Sequence, residues 1–419
     1  MNSMQTILKT FVTIGALTVC VSRAEAQQTT VIRAATILDG RGGSVANGAI
    51  VIRDGRIVQV DRADAAPAGN VVYDLGSATV MPGLIDGHVH VNSYINAKGR
   101  FHSRDDGDTP AQSTLAIAHL LRDMLWSGVT TVQSMGSNEE TAFREAVANG
   151  SIVGPRILTT LNPISNEQLS PDSLRALVRN RKEQGADAIK VFASKSIRDG
   201  GATTMSAAQL SAICGEAKSL GLRTLVHAHS AESMRFAAEA GCTQIEHGVF
   251  ATPEVLKIMA DRGTLYDPQC GLVFRNYLDN RAKFEGIGNF NEEGFASMQR
   301  AIPMAANVVH TASVTPGLKL VWGTDAVAGA HGHNVDDLIC RVKDGGQSAA
   351  AALASATSGG AEGVGLGKEI GVLAPGYRAD IIALAGNPMQ DITALKHVMF
   401  VMRDGVVYRT DGAARITSR

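Results

Sequence analysis

Short apolar runs alternate with helical patterns through the long central part of the chain. The predicted strands end near eight residues, namely His90, Ser134, Leu161, Phe192, Ala228, His247, Asp267 and Thr324. Helices are predicted between several of these strands, over residues 110–126, 171–184, 206–220, 231–240 and 253–262. Eight strand–helix units favour a (β/α)8 barrel, an α/β fold that typically takes about 250 residues. A doubly wound open sheet is the alternative, but it would keep the first and last strands apart.

The two ends of the chain carry the same hairpin pattern. Residues 48–60 place an Asp-Gly pair between apolar alternations, and residues 398–408 do the same. An Asp-Gly pair flanked in this way is a strong hairpin signal. The sequence therefore predicts a small β-sandwich domain built from residues 27–80 and 368–419, and a barrel of residues 81–367.

Composition excludes some classes of partner. Of the 419 residues, 45% are hydrophobic and 19% are charged, which is typical of a soluble globular protein. The formal net charge is −1, and no basic run occurs, so nothing indicates nucleic acid or an anionic membrane as a partner. No later segment is apolar for long enough to span a bilayer.

The N-terminus has the pattern of a secretory signal peptide. Lys9 precedes an apolar stretch at residues 11–22, and an A-x-A cleavage site ends at Ala26. We therefore predict that residues 1–26 are removed and that the protein is exported to the periplasm or secreted. Lipidation at Cys20 is a weaker alternative, because Val19 replaces the small residue expected before a lipidated cysteine.

Four cysteines follow the predicted cleavage site, at Cys214, Cys242, Cys270 and Cys340. None forms a C-x-x-C pair, which disfavours a thiolate zinc site. An exported protein could form disulfides, but the wide and irregular spacing favours buried free thiols.

Side chains of the types that bind metal ions lie at the ends of the predicted barrel strands. His88 and His90 are two positions apart, so on one strand both imidazoles face the same side and could reach one divalent ion. A pair of structural histidines is the alternative for this motif alone. His227 and His247 end two neighbouring predicted strands, and Asp325 ends the last one. Catalytic residues of such barrels lie at these strand ends.

Lys190 lies in the apolar strand at residues 187–192. A buried ammonium group is unfavourable unless it is paired or neutralised. Pairing with a carboxylate inside the barrel is one solution. We prefer an N-carboxylated lysine, in which CO2 turns the side chain into an anionic carbamate that can bridge two cations.

Asp325 and His229 are the predicted catalytic residues. Asp325 could bind a cation and accept a proton from a water between two cations, which lower the pKa of that water. Its alternative role is the N-cap of the following helix. His229 shares a face with His227 but is predicted one layer further out, where it would contact substrate or the transition state. A simple loop histidine is the alternative.

These motifs resemble the amidohydrolase superfamily, in its imidazolonepropionase-like branch, which includes bacterial Xaa-Pro and Xaa-Arg dipeptidases and fungal ochratoxinase. The matching segments are residues 82–90 (PGLIDGHVH), 189–191 (IKV), 226–229 (VHAH), 245–248 (IEHG), 323–325 (GTD) and 371–380 (GVLAPGYRAD). The resemblance covers essentially the whole mature chain. One departure is the loop at residues 193–198 (ASKSIR), where many relatives have Ser-Gly-Gly, so substrate preference can differ.

The resemblance implies a binuclear centre, with zinc as the expected metal. It assigns His88, His90 and Asp325 to one ion, His227 and His247 to the other, and carboxylated Lys190 to both. Asp325 would be the proton shuttle, with His229 near the developing oxyanion. Relatives of this kind often form large homo-oligomers, commonly octamers.

The expected substrate is an N-acyl amino acid or a dipeptide, whose amide is cleaved to release the C-terminal amino acid. Ochratoxin A, which releases phenylalanine, fits this class. Side chains that could bind the free carboxylate or other substrate groups are Ser93, His229, Lys195, Arg198, Tyr266, Arg275, His331 and His333. A cyclic-amide hydrolase or deaminase is the alternative, which Lys190 disfavours because imidazolonepropionase has a mononuclear site without this lysine. A noncatalytic binding protein is a remote alternative, because all six metal ligands are present.

Overall fold

The computed structural model describes residues 29–65, 71–103 and 106–411, together with the backbone of residues 414–417. The predicted signal peptide and its cleavage site lie outside the described residues. Among the helices that are described, none is both long and apolar enough to cross a membrane.

Strands and helices alternate through the middle of the chain, and further strands lie at both ends. The strands of the described residues are β1 (Thr29–Leu38), β2 (Ser44–Arg53), β3 (Arg56–Arg62), β4 (Val71–Asp74), β5 (Thr79–Pro82), β6 (Leu84–Val89), β7 (Val129–Ser134), β8 (Arg156–Thr159), β9 (Ala188–Phe192), β10 (Arg223–Ser230), β11 (Gln244–Phe250), β12 (Leu265–Asp267), β13 (Ile381–Leu384), β14 (Val398–Arg403), β15 (Val406–Thr410) and β16 (Ala414–Thr417). The helices are α1 (Pro110–Trp126), α2 (Glu140–Ala148), α3 (Pro171–Glu183), α4 (Ala207–Ser219), α5 (Ala231–Glu239), α6 (Pro253–Arg262), α7 (Leu272–Asp279), α8 (Arg281–Phe284), α9 (Glu292–Ser313), α10 (Val335–Lys343), α11 (Ala349–Ser355) and α12 (Ser358–Gly363).

The central strands form the predicted (β/α)8 barrel. Parallel strands β6 to β8 make one sheet, and parallel strands β9 to β12 make another. Isolated parallel bridges join these sheets into a ring, between Ile164 and Val191, between Tyr266 and Leu320, and between Val89 and Ala326. Residues 320–326 therefore take the place of the eighth strand, beside the first strand of the barrel.

Three of the eight predicted strand ends match the structure exactly, and β6, β8, β10 and β11 end within three residues of the prediction. β7, β9 and β12 end at the predicted residues. β8 ends at Thr159 rather than at Leu161, because Leu161 has a left-handed backbone with φ 57°, which ends the extended run. Ser170 and Thr252 cap helices α3 and α6 through their hydroxyl groups.

The two chain ends build one sheet together. Its strand order is β15-β14-β13-β5-β1-β2-β3, with β4 paired to β1 and β16 paired to β4. Both predicted hairpins are present, and φ is positive at Asp54, Gly55, Asp404 and Gly405, as a type I′ turn requires. The sheet folds over an apolar core to which β1, β2, β13 and β14 all contribute. The exact domain boundaries remain a prediction.

The structure contradicts the expectation of free thiols. Cys214 on α4 is bonded to Cys242 before β11, and Cys270 after β12 is bonded to Cys340 on α10. The Cα atoms of the two pairs lie 5.0 and 5.8 Å apart, within the range that a disulfide spans. Spacing along the chain carried no sign of these pairs, because helix packing around the barrel brings the partners together.

Candidate metal centre at the barrel mouth

All six predicted metal ligands line one cavity of about 990 Å³ at the carboxyl ends of the barrel strands. These ligands are His88 on β6, His90 directly after it, Lys190 on β9, His227 on β10, His247 on β11 and Asp325 in the eighth strand position. The barrel thus brings together side chains that are far apart in sequence.

His88, His90 and Asp325 form the first group of donor atoms. Asp325 Oδ1 lies 3.0 Å from His90 Nε2 and 3.4 Å from His88 Nε2. One donor atom from each residue lies within 4.8 Å of the others, so one cation could contact all three. This is the group that the H-x-H motif and the GTD motif predict.

His227, His229 and His247 form the second group. The ring centroids of His227 and His247 lie 4.5 Å apart, and His229 stacks on His247 at 5.0 Å. The structure therefore brings His229 into the same group of donors, whereas the sequence analysis expected it one layer further out. Its Nδ1 atom is buried and has no hydrogen-bond partner among the residues that the structure describes.

Lys190 lies between the two groups. Its side chain is buried, and its Nζ atom lies 3.3 Å from His88 Nε2 and 5.5 Å from the centroid of the Phe192 ring. Within the described residues it forms no ion pair with a carboxylate, which argues against a lysine paired inside the barrel. Burial lowers the pKa of Lys190, although the nearby carboxylates oppose the shift.

Burial also keeps His88, His227 and His247 neutral. It lowers the pKa of His88, His227 and His247 well below the usual value, and neighbouring cationic groups add to the shift. For Asp325 burial acts to raise the pKa, but His88 and His90 outweigh it and hold the pKa below the usual value. Neutral imidazoles with free lone pairs and an ionised carboxylate are the donors that a divalent cation requires, so these residues fit a metal site.

Two residues that the sequence analysis did not single out orient the ligands. Glu246 Oε2 lies 3.0 Å from His88 Nδ1, and Gln269 Oε1 lies 2.7 Å from His247 Nδ1. These contacts occupy the Nδ1 atoms, and His88 Nε2 is left facing the cavity. A hydrogen bond to Nδ1 of this kind fixes the tautomer of a metal-binding histidine. Glu246 belongs to the IEHG motif, but strand alternation predicts that it points away from His247.

The backbone of the mouth explains how Glu246 and His247 both face inward. His247 has φ 70°, a left-handed conformation that interrupts the alternation of the strand. Asp325 has φ 53°, and Gln269 has φ 46°. Such conformations are unfavourable for residues other than glycine and tend to cluster at functional sites. The mouth therefore combines strained backbone with buried polar side chains.

Two of the remaining predicted substrate contacts line the cavity. Ser93 does so, and its hydroxyl group accepts a hydrogen bond from the backbone N–H of Ala328 at 3.0 Å. Arg198 does so as well, with its guanidinium carbon 4.3 Å from the centroid of the Phe290 ring. Its Nε donates to Asn289 at 2.7 Å.

The other predicted contacts do not line this cavity. They are Lys195, Tyr266, Arg275, His331 and His333. Tyr266 is fully buried and donates to the carbonyl of His247 at 3.0 Å. Arg275 pairs with Asp344 on another face of the protein, and His331 donates to the carbonyl of His90 at 3.1 Å. We therefore leave these residues out of the substrate site.

Aromatic and apolar side chains that the sequence analysis missed form part of the cavity wall. They are Tyr94, Phe101, Ile117, Met135, Phe143, Phe192, Val273, Phe274, Tyr277 and Val327. Arg198 is the only arginine of this wall within the described residues, and it lies over the Tyr277 ring at 5.4 Å. These aromatic residues come from separate helices, a strand and a loop and carry no spacing signal, so only the fold could identify this wall.

The chain is similar to known proteins over most of its length. The model of the amidohydrolase family matches residues 79–410. Ochratoxinase from Aspergillus niger is 26% identical over 442 aligned residues, which cover 94% of this chain and 89% of the relative. Imidazolonepropionase from Deinococcus deserti is 24% identical, and the match covers 82% of this chain and 87% of the relative.

The fold of the chain is also similar to that of solved structures. A Xaa-Pro dipeptidase with methionine bound in its active site matches with a TM-score of 0.80 and 27% identity, covering 91% of this chain and all of that one (100%). The crystal structure of A. niger ochratoxinase has a TM-score of 0.76 and 24% identity, covering 92% of this chain and 96% of that one. At that identity the second likeness concerns the fold alone.

Proposed function

Because the chain belongs to the amidohydrolase family, we propose that it hydrolyses the amide bond of an N-acyl amino acid or a dipeptide and releases the C-terminal amino acid. One observation carries this proposal. The cavity that holds the six predicted metal ligands also holds Arg198 in an aromatic wall. A guanidinium group binds a carboxylate in a bidentate manner, which suits the free carboxylate of such a substrate.

We assign two divalent cations, with zinc as the expected metal, to the two groups of donors. His88, His90 and Asp325 would hold one ion, and His227 and His247 would hold the other. The family generally uses a divalent metal. Bound cations would polarise the amide carbonyl and lower the pKa of a water molecule that acts as the nucleophile.

Lys190 would bridge the two ions as a carbamate. Its lowered pKa favours the neutral amine, which is the form that reacts with CO2. The amine nitrogen forms a bond to the carbon of CO2 and loses a proton, which gives a carbamate anion. The buried position beside His88 supports this assignment, since an anion there would offset the charge of nearby cations.

Asp325 and His229 would carry out the proton and charge steps of hydrolysis. The Asp325 carboxylate, ionised because of His88 and His90, would accept a proton from the attacking water and transfer it to the leaving nitrogen. His229 is a neutral imidazole, since burial lowers its pKa to about 3. Its ring would donate a hydrogen bond to the carbonyl oxygen as negative charge develops there.

The wall of the cavity favours an apolar or aromatic residue on the substrate. Phe274 and Tyr277 lie on the same wall as Arg198, so the side chain of the released amino acid would pack against their rings. Ser93 would donate a further hydrogen bond to the substrate. N-acyl phenylalanine compounds, including ochratoxin A, are therefore the first substrates to test.

Location and assembly are part of the proposal. We propose that the protein acts outside the cytoplasm, which its two disulfides support, because such bonds persist in oxidising compartments. Assembly into homo-oligomers, with octamers as the expected form, remains a prediction from the resemblance.

The test is a screen of N-acyl amino acids and dipeptides with the purified protein, in which release of the free amino acid is measured. Each good substrate is paired with its C-terminal carboxamide, which lacks the carboxylate. We expect the carboxamide to react about 10- to 100-fold more slowly, and Arg198→Met to lose this discrimination. Arg235→Met, which removes an exposed arginine paired with Glu239 on α5, is the matched control.

Three results would contradict the proposal: no release of amino acid from any compound, equal rates for acid and carboxamide, or activity that persists after removal of metal by chelation. Hydrolysis of cyclic amides in place of linear ones would favour the alternative function.

A further inference from the structure

Gln269 lies directly behind the two groups of predicted ligands. Its Oε1 atom lies 2.7 Å from His247 Nδ1, and its Nε2 atom lies 3.1 Å from His88 Nδ1 and 3.1 Å from Asp267 Oδ2. The residue is buried, with 4% of its surface exposed. One side chain therefore contacts a ligand from each proposed ion site.

The position of Gln269 is not maintained by its own backbone preference. Its φ of 46° is left-handed, which a glutamine rarely adopts. The carboxylate of Asp267, two residues earlier, accepts from the N–H of Gly323 at 3.0 Å. Contacts on both sides of Gln269 must therefore hold the segment in this conformation.

Helix α10 supplies most of these contacts from one face. Asp337, Cys340 and Arg341 are three and four positions apart, so they project on the same side of the helix. Asp337 accepts from the N–H of Cys270 at 2.6 Å, and Cys340 forms the disulfide with Cys270.

Arg341 completes the contacts by which α10 holds residues 267–270, and we call these contacts the anchor. It is fully buried and donates to Asp267 Oδ1 at 2.5 Å and to Asp337 Oδ1 at 2.8 Å. The segment of residues 267–270 is thus attached to α10 at both of its ends, with Gln269 between the attachment points.

We infer that Gln269 is a positioning residue for both halves of the metal centre, and that the disulfide between Cys270 and Cys340 holds it against the ligands. This inference rests on the proposed function, because it requires cations at the two groups of donors. The amide oxygen of Gln269 accepts from His247 Nδ1–H, which leaves the Nε2 lone pair of that ring available to a cation. Without the anchor, the Gln269 side chain and the His247 ring lose their fixed orientation.

The second disulfide provides a matched control. The bond between Cys214 and Cys242 joins α4 to the turn before β11, and neither cysteine lines the cavity. The bond between Cys270 and Cys340 is buried beside Val309 and follows Gln269 directly. Removal of either bond lowers stability, but only removal of the Cys270–Cys340 bond should change the metal centre.

The experiment compares full-length wild type with Gln269→Met, Cys270→Ala/Cys340→Ala and Cys214→Ala/Cys242→Ala. Methionine keeps the approximate volume of glutamine but can neither accept from His247 Nδ1–H nor donate to Asp267. Affinities for Zn2+ are measured by competition with a chelator, and the absorption spectrum of the Co2+ form reports the geometry at the ligands. Urea unfolding of the metal-free proteins reports stability.

We expect Gln269→Met and Cys270→Ala/Cys340→Ala to bind Zn2+ about 10- to 100-fold more weakly and to change the Co2+ spectrum. Cys214→Ala/Cys242→Ala should lower the urea midpoint and leave both metal readouts unchanged. If Gln269→Met does not fold, the two disulfide variants still decide the role of the anchor.

Wild-type affinity and an unchanged Co2+ spectrum in Gln269→Met would overturn the positioning role. Equal effects of the two disulfide variants on metal affinity would overturn the role of the Cys270–Cys340 bond. A wild-type protein that binds no divalent cation would instead refute the proposed function, and the inference with it.

Discussion

The two ends of the barrel differ in whether a buried basic side chain has a carboxylate partner. At the amino end, Arg156 opens β8 and pairs with Asp380 at 2.7 Å and with Asp404 at 2.6 Å, both from the sheet of the chain ends. Burial acts to lower the pKa of Arg156, but the two carboxylates outweigh it and raise the pKa. At the mouth, Lys190 has no carboxylate partner in the described residues, and its pKa is lowered.

This difference separates a stabilising network from a binding site. In the Arg156 network each charge has an opposite charge beside it, so the network joins the barrel to the terminal sheet. At the mouth burial keeps the imidazoles of His88, His227 and His247 neutral, so they can act as donors to cations. Such an arrangement gains most when cations bind, because they supply the positive charge that the donors can accommodate.

Lys190→Met should show the largest effect, with a large loss of activity and no loss of stability. Loss of the proposed bridge should lower kcat/KM by about 10³-fold or more, since several kcal/mol of transition-state stabilisation depend on the cations. The metal-free variant should unfold at the same or a higher temperature, because an unpaired buried amine is replaced by an apolar side chain. Lys195→Met, outside the cavity, should retain activity. If Lys190→Met kept activity within tenfold of wild type, the proposed binding role of Lys190 at the mouth would be contradicted.

Arg156→Met should have the reverse effect. It leaves the buried Asp380 without its main partner, so we expect a loss of about 3 kcal/mol in the free energy of unfolding, measured with urea. Activity at a temperature where the variant is folded should stay near wild type. Arg175→Met is the control, because its pair with Asp172 is exposed and should contribute less than about 1 kcal/mol. A large loss of activity without a loss of stability would show that the two ends are not independent.

The pH dependence of metal-free protein should show the smallest effect. Burial lowers the pKa of His229 to about 3, with Arg198 adding to the shift and Asp325 opposing it. Below pH 6.5 the unfolded chain binds a proton at this residue while the folded chain does not, so stability is lost as the pH falls from 6.5 towards 3.

His229→Asn should therefore reduce the difference in unfolding free energy between pH 7 and pH 5 by about 1–2 kcal/mol. The variant His310→Asn, at an exposed position on α9, controls for removal of a histidine. An equal pH dependence in wild type and His229→Asn would mean that this imidazole is not held neutral by burial.

Local patterns were sufficient for much of the fold. The Asp-Gly pair of each predicted hairpin lies in a turn with positive φ, because few residue pairs adopt that conformation easily. Ser170 and Thr252 cap their helices, since a hydroxyl before the first turn satisfies a free backbone N–H. These signals act over a few residues, and tertiary packing did not override them.

Side-chain direction at the mouth was harder to predict. Tyr266 was expected to contact substrate, yet it lies on β12 with its hydroxyl group bonded to the carbonyl of His247. The direction of a side chain near a strand end depends on where the extended backbone stops. At His247 a single left-handed residue reverses that direction, and no pattern in the sequence signals it.

The sequence by itself determined which residues meet at the mouth, because metal ligands at the ends of parallel strands converge once the barrel closes. Only the tertiary structure decided what surrounds them. It placed Gln269 against His88 and His247, paired Cys270 with Cys340, and selected Arg198 as the cation of the cavity wall. These contacts join segments from separate strands, helices and loops, so they depend on packing between elements rather than on periodicity within any one of them.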